Sequence, residues 1–260
     1  MTEYTVAENT PFLWFRSLIS GEKCAACGNN DTRGLSLLCP DCTEKLKKAM
    51  NGICLCCGST YYGCLCPAPG MREAGCEYLV KLAGYDPSDL SSPVNGIVLR
   101  LKGHKDRMLH TYLARYLSVP LKRLASAREL TPENCIITFV PRSKKKKRLT
   151  GVDQAYFLAR ALAKETGFPC KAILRRVHDG ASQKTLGEKE REVNAAISYG
   201  IRKKIPDGVS VILADDLVTT GATVCECTRL LRSAGAAEVY GVCIARTVQK
   251  RKKIQNKDIT

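Results

Sequence analysis

Acidic residues are in short supply: 25 aspartates and glutamates stand against 41 lysines and arginines, a formal charge of +16. Such a chain repels itself on compaction. Polyanions, phosphate-rich small molecules and anionic membrane surfaces are its natural partners, with solubility from scattered lysines as the bland alternative. Long apolar runs are missing too. PFLWF and SLIS, between Pro11 and Ser20, are interrupted by Arg16 and fall well short of the roughly 20 residues that a spanning helix needs. Residues 1–22 are therefore expected to form an amphipathic helix anchored by Trp14. No stretch near the start combines a basic flank, a long apolar core and a small-residue cleavage site, which argues for a cytoplasmic protein, membrane-associated only through a partner. Histidine is scarce, and His104, His110 and His178 are isolated from any nucleophile motif, so surface or core roles outweigh catalysis. No glycine is followed by lysine, which removes the GxxxxGK[ST] loop and with it an ATPase. A hydrophobic fraction of 45% excludes disorder as the default, and 260 residues suit one sizeable domain plus a smaller module.

Cysteine, by contrast, is plentiful and clustered, with ten of 15 between Cys24 and Cys76. In a chain that is not exported, paired thiols read as metal ligands rather than as a disulfide framework. CAAC (Cys24, Cys27) and CPDC (Cys39, Cys42) are two Cys-x-x-Cys pairs separated by eleven residues. Each presents two thiolates from one tight turn, and two such turns complete the tetrahedral sulfur shell that zinc favours. A redox pair and core cysteines are the competing readings. Gly28 suits the first turn, and TEKLKKAM after Cys42 reads as a short helix. The second group is less regular. Cys54 and Cys57 with Gly58 repeat the CxxCG pattern, and Cys64 and Cys66 close the shell, with Cys56 and Cys76 as competing ligands. Two closed sulfur shells leave no position for a reactive water, so both zinc sites are expected to be structural.

From Cys135 onward the pattern alternates. CIITFV, PCKAILRRV, VSVILADD and EVYGVCIART read as buried strands; QAYFLARALAKETG, ending at Gly167, and TVCECTRLLRSAG read as helices. This implies an α/β fold, a parallel sheet with helices on both faces, whose ligands bind beyond the carboxyl ends of the strands. VILADDLVTTGAT, from Val211 to Thr223, falls at such an end. Asp215 and Asp216 are expected to terminate a strand, and Thr219, Thr220, Gly221, Ala222 and Thr223 to turn into a helix whose unpaired N–H groups and dipole suit a phosphate. Like charges repel, so the carboxylates must face hydroxyl donors or a cation. A sugar phosphate supplies both needs; an acidic strand end with an ordinary helix cap is the plain alternative. The expected divisions are the helix at 1–22, a zinc-binding module at 23–77, the α/β domain at 78–247 and a solvated basic tail at 248–260.

Those thirteen residues resemble the phosphoribosyl pyrophosphate signature of type I phosphoribosyltransferases. Taken in order, the cysteine clusters, LKGHKD (Leu101 to Asp106), VPRSKKKKRLTGVDQA (Val140 to Ala155), SQKTLGEKEREVN (Ser182 to Asn194) and the signature resemble the ComF family of competence proteins. The resemblance implies a type I phosphoribosyltransferase-like domain behind a double zinc knuckle, a phosphoribosyl pyrophosphate ligand with magnesium, and a part in DNA uptake. It puts Asp215 and Asp216 on the ribose, Thr219 to Thr223 on the 5′-phosphate, and Arg142, Ser143 and Lys144 on the pyrophosphate. Lys184 and Arg191, in a lid from Asp179 to Asn194, become the catalytic groups that reach the leaving group. Where the family reads RGFNQ this chain has TGVDQ, so Thr150 replaces an arginine and Asp153 an asparagine. That departure weakens the case for turnover more than the case for binding. The alternative is a non-catalytic sensor whose basic run, Lys144 to Arg148, and knuckles engage single-stranded DNA or a protein of the DNA-uptake machinery.

Overall fold

Runs of branched and small apolar residues separated by amphipathic helices produce the expected alternation. The computed structural model describes residues 23–29, 36–103, 105–143, 151, 153–177 and 198–248. The expected N-terminal helix, the run from Lys144 to Arg148, the whole lid from Asp179 to Asn194 with Lys184 and Arg191, and the tail beyond Val248 lie outside these residues. Among the described residues the elements are α1 (Pro40–Met50), β1 (Cys76–Tyr85), α2 (Pro93–Gly103), α3 (Arg107–Ala127), β2 (Cys135–Phe139), α4 (Gln154–Thr166), β3 (Leu174–Arg176), β4 (Tyr199–Ile201), β5 (Ser210–Val218), α5 (Ala222–Ser233) and β6 (Val239–Thr247).

One sheet carries the order β1-β6-β5-β2, and all three pairings are parallel, with Phe139 opposite Ala214 and Ile212 opposite Tyr240. Every residue of β2 and nearly every residue of β6 is buried, as expected of parallel strands covered on both faces. The period of two divides the cover. Ile212 and Ala214 pack in one apolar cluster with α3 and α4, while Val211 and Leu213 pack in a second with α5. Gly167 ends α4 in the left-handed conformation at φ 85°, its N–H bonded back to the Ala163 carbonyl at 2.9 Å.

Three local expectations shift. PCKAILRRV is not one strand: Cys170 makes a single parallel bridge to Ile137, and only Leu174–Arg176 forms a strand, antiparallel to β4. Its alternation of a buried leucine with arginines suits a two-stranded ribbon at the surface rather than a covered sheet. Helix α1 begins at Pro40, ahead of TEKLKKAM, because the Cys39 sulfur caps it by accepting the Cys42 N–H at 3.5 Å and proline is favoured in the first turn. Asp215 and Asp216 do not end β5; Leu217 and Val218 continue it, opposite Ala245 and Arg246.

The cysteine-rich segment shares the core of the sheet. Cys24, Cys39, Cys42, Leu46, Met50 and Tyr62 belong to the same cluster as Val80, Leu82 and Leu113. Gly96 of α2 permits this contact, since a Cβ there would overlap the Ala26 carbonyl in the first knuckle.

Candidate ligand and metal sites

Cys24, Cys27, Cys39 and Cys42 bring four sulfurs within 4.8 Å of one another, and Cys54, Cys57, Cys64 and Cys66 do the same. A tetrahedral zinc with Zn–S bonds of about 2.3 Å would set sulfurs about 3.8 Å apart. Cys27 and Cys39 are 3.8 Å apart and Cys57 and Cys64 3.5 Å, so both quartets can hold a metal ion of that size. Gly28 and Gly58 close the two CxxCG turns with positive φ, each donating its N–H to the carbonyl of the first cysteine at 2.9 Å. Backbone amides also point at the sulfurs, from Cys39 to Cys24 and from Cys66 to Cys64, each at 3.3 Å. Burial opposes ionisation of Cys24, yet the amides of Cys27, Cys39 and Ala26 outweigh it and bring the thiol down to about 7. The Ser59 amide leads in lowering Cys57 to about 6. Within each quartet a partner moves the other way: burial pushes Cys66 up to about 12 and raises Cys42. Thiolates so disposed are ready ligands, because the metal takes the ionised form. The competing ligands stand apart. Cys56 is exposed, and Cys76 is buried on β1 with its sulfur donating to the Tyr78 carbonyl at 3.5 Å.

The second site lies at the carboxyl edge of the sheet. Asp215 Oδ1 accepts the Asp216 N–H and Asp216 Oδ1 the Leu217 N–H, both at 2.9 Å. Burial first, and then the Asp216 charge, hold the Asp215 carboxyl well above the usual range, with Asp153 adding to the effect. Thr219 and Thr220 are exposed on the bend that follows. Gly221, at φ 88°, is the N-cap of α5 and has no side chain with which to cap it. Ala222 donates its N–H to Thr220 Oγ1 at 3.4 Å, and Thr223 stands in the first turn. Arg142 and Ser143 follow β2 at the same edge: Val140 N–H reaches the Ala214 carbonyl at 3.0 Å, and Arg142 N–H reaches Asp153 Oδ2 at 3.4 Å. Asp215, Asp216, Thr219 to Thr223, Arg142, Ser143 and Asp153 thus come together from three chain segments, whereas Lys144, Lys184 and Arg191 fall outside the described residues.

Two neighbours give no sign in the sequence. Arg176 Nη1 donates to the Tyr199 hydroxyl at 2.8 Å and stacks 5.1 Å from the ring centre, and that hydroxyl also bonds Thr223. The ribbon of β3 and β4 therefore sets a cation beside the N-terminus of α5.

Against known proteins, the family model described as phosphoribosyl transferase domain matches residues 125–260, just over half of the chain. DNA utilization protein YhgH of Salmonella typhi is 32% identical over 165 residues, covering 62% of this chain and 70% of the relative. The chain belongs to the ComF family of phosphoribosyltransferase-domain proteins. Competence protein F of Haemophilus influenzae is 27% identical to this ComF chain over 229 residues, 86% of it and 96% of the relative. Among solved structures, the allosteric regulatory enzyme of purine biosynthesis matches 52% of this chain and 26% of its own at 24% identity, with a TM-score of 0.34. Among the described residues, no helix is long and apolar enough to cross a membrane.

Proposed function

We propose that this ComF chain binds phosphoribosyl pyrophosphate with magnesium at the carboxyl edge of its sheet and takes part in DNA uptake, a reading supported by relatives named for competence and for DNA utilization. The observation that carries this is the adjacency of Asp215 and Asp216 on a central strand to the N-terminus of α5, which begins six residues after Asp216. Ribose hydroxyls donate to the two carboxylates, and the 5′-phosphate takes the amides and hydroxyls of the segment from Thr219 to Thr223. Arg142, Ser143 and Lys144 hold the pyrophosphate, and Lys184 and Arg191 close on it. Asp215, crowded by two other carboxylates, suits a ligand that brings a cation, and magnesium would neutralise pyrophosphate oxygens there. Zinc fills both cysteine quartets.

As a transferase the site would break the bond from ribose C1 to pyrophosphate while a nucleophile bonds to C1. The protein's part is to position the leaving group and to stabilise the cationic sugar with its carboxylates. A non-catalytic role is the second reading, and a basic, aromatic cleft favours it: about 640 Å³ lined by Arg107, Tyr156, Phe157, Arg160 and Lys164, a surface that suits single-stranded DNA. In calorimetry with magnesium phosphoribosyl pyrophosphate, replacing Asp215 and Asp216 together by asparagine is expected to lower affinity at least tenfold with the fold retained; unchanged affinity would sink the site. Pyrophosphate release across candidate acceptors separates enzyme from sensor.

A further inference from the structure

Lys81 lies in β1 opposite Cys243 of β6 and is 0% exposed. A lysine is almost never fully buried without a partner, because stripping water from an ammonium costs more than burying its carbon stem gains. Its Nζ donates to the carbonyls of Cys64 and Cys66 at 3.0 Å each and of Leu79 at 3.3 Å, and to Cys64 Sγ at 3.2 Å. The sulfur is the one acceptor of the four that can carry charge, as the thiolate that a metal takes. A divalent ion inside four thiolates leaves two negative charges, and an ammonium at this distance offsets one of them.

The same half of the quartet is tied to the sheet elsewhere. Leu79 N–H reaches the Leu65 carbonyl at 2.9 Å, and Arg246 Nη1 reaches the Cys66 carbonyl at 3.5 Å. From Cys66 the chain runs to Ala68 and Met71, both buried, which pack against the bend after β5: a Cβ on Gly221 would lie 2.9 Å from Ala68 Cβ and 3.3 Å from Met71 Cγ. One short segment therefore joins the second quartet to the bend before α5.

We propose that Lys81 is the buried counter-ion of the second cysteine quartet, and that metal bound there holds the segment from Thr219 to Gly221 in shape through Cys66 to Met71. Lys81 is then a positioning residue. The coupling rests on that segment being the phosphate site; the pairing of Lys81 with the quartet does not.

Chelator-driven zinc release from the full, zinc-loaded chain tests both parts. In a Cys27→Ser background, where zinc remains only in the second quartet, Lys81→Met is expected to speed release at least tenfold, in line with the loss of other partners that stand behind metal ligands. Lys81→Gln, which keeps donors without charge, should do the same, and Lys81→Arg should restore most of the retention. Wild-type release rates in the Met or Gln variant would overturn the pairing. For the coupling, linkage is reciprocal in affinity, so saturating magnesium phosphoribosyl pyrophosphate should raise the chelator concentration needed to release one zinc of the wild-type pair at equilibrium and leave the other unchanged. Equal release with ligand demonstrably bound in calorimetry would overturn the coupling, whereas no binding at all would overturn the ligand assignment and leave Lys81 to be judged on its variants.

Discussion

Asp215 carries the cost of the candidate site. Its carboxyl is raised in the fold by burial and by Asp216, so the folded state favours the protonated form. The stability this group contributes is present below the ordinary carboxylate pKa and is lost as pH rises through the raised folded value, which leaves the ligand-free protein strained at neutral pH. Asp215→Asn removes the charge and should stabilise the ligand-free fold by about 1 kcal/mol near neutrality, with the gain vanishing in acid. Melting curves of both proteins at a series of pH values check this, and a variant that melts lower at neutral pH would contradict it. The same residue shows what the sequence could convey. A carboxylate pair beside a Thr/Gly bend is legible because the chemistry is contiguous along the chain. Lys81 is not, since a single lysine in CEYLVKLAGY looks like an ordinary surface position until Cys64, 17 residues earlier, is folded against it.

At the scale of elements, strands and helices with strong periodicity were readable: α4, α5, β2, β5 and β6 follow the expected segments closely. PCKAILRRV misled because its apolar half and its arginine half serve two different pairings, a distinction that tertiary neighbours impose. The choice among the later cysteines was also readable, because the CxxCG turn repeats. How the first knuckle docks was not, since Gly96 looks like a helix weakness rather than a contact. In an exposed helix interior Gly→Ala gains about 1 kcal/mol. Here the added Cβ would overlap the Ala26 carbonyl, so Gly96→Ala is expected to destabilise by about 1–3 kcal/mol and to accelerate metal loss from the first quartet before the second. Thermal denaturation combined with zinc release from each quartet measures both effects. A stabilised variant would mean that the knuckle does not bear on α2.

For the whole molecule, a charge of +16 is more than one pyrophosphate requires, and the cleft on the outer side of α3 and α4 gives part of it a definite place. Lys105 Nζ and the Arg107 guanidinium lie 5.8 and 5.6 Å from the centre of the Phe157 ring, Tyr156 is exposed beside it, and Arg160 and Lys164 continue along α4. Cations track phosphates and aromatic faces take bases, so single strands should bind there in a salt-dependent way. Each phosphate contact to a single strand contributes about 0.7 to the slope of log affinity against log salt. Replacing Arg107, Arg160 and Lys164 together by alanine should therefore reduce that slope by about 2 and weaken binding most at low salt. Affinity for phosphoribosyl pyrophosphate should stay intact, because none of the three belongs to the edge where Asp215 and the bend before α5 lie. Fluorescence anisotropy of a labelled single strand across a salt series, set beside calorimetry of the small ligand, separates the two surfaces. An unchanged slope would move the nucleic-acid contact away from this cleft, and a loss of both affinities would mean that the two surfaces act as one.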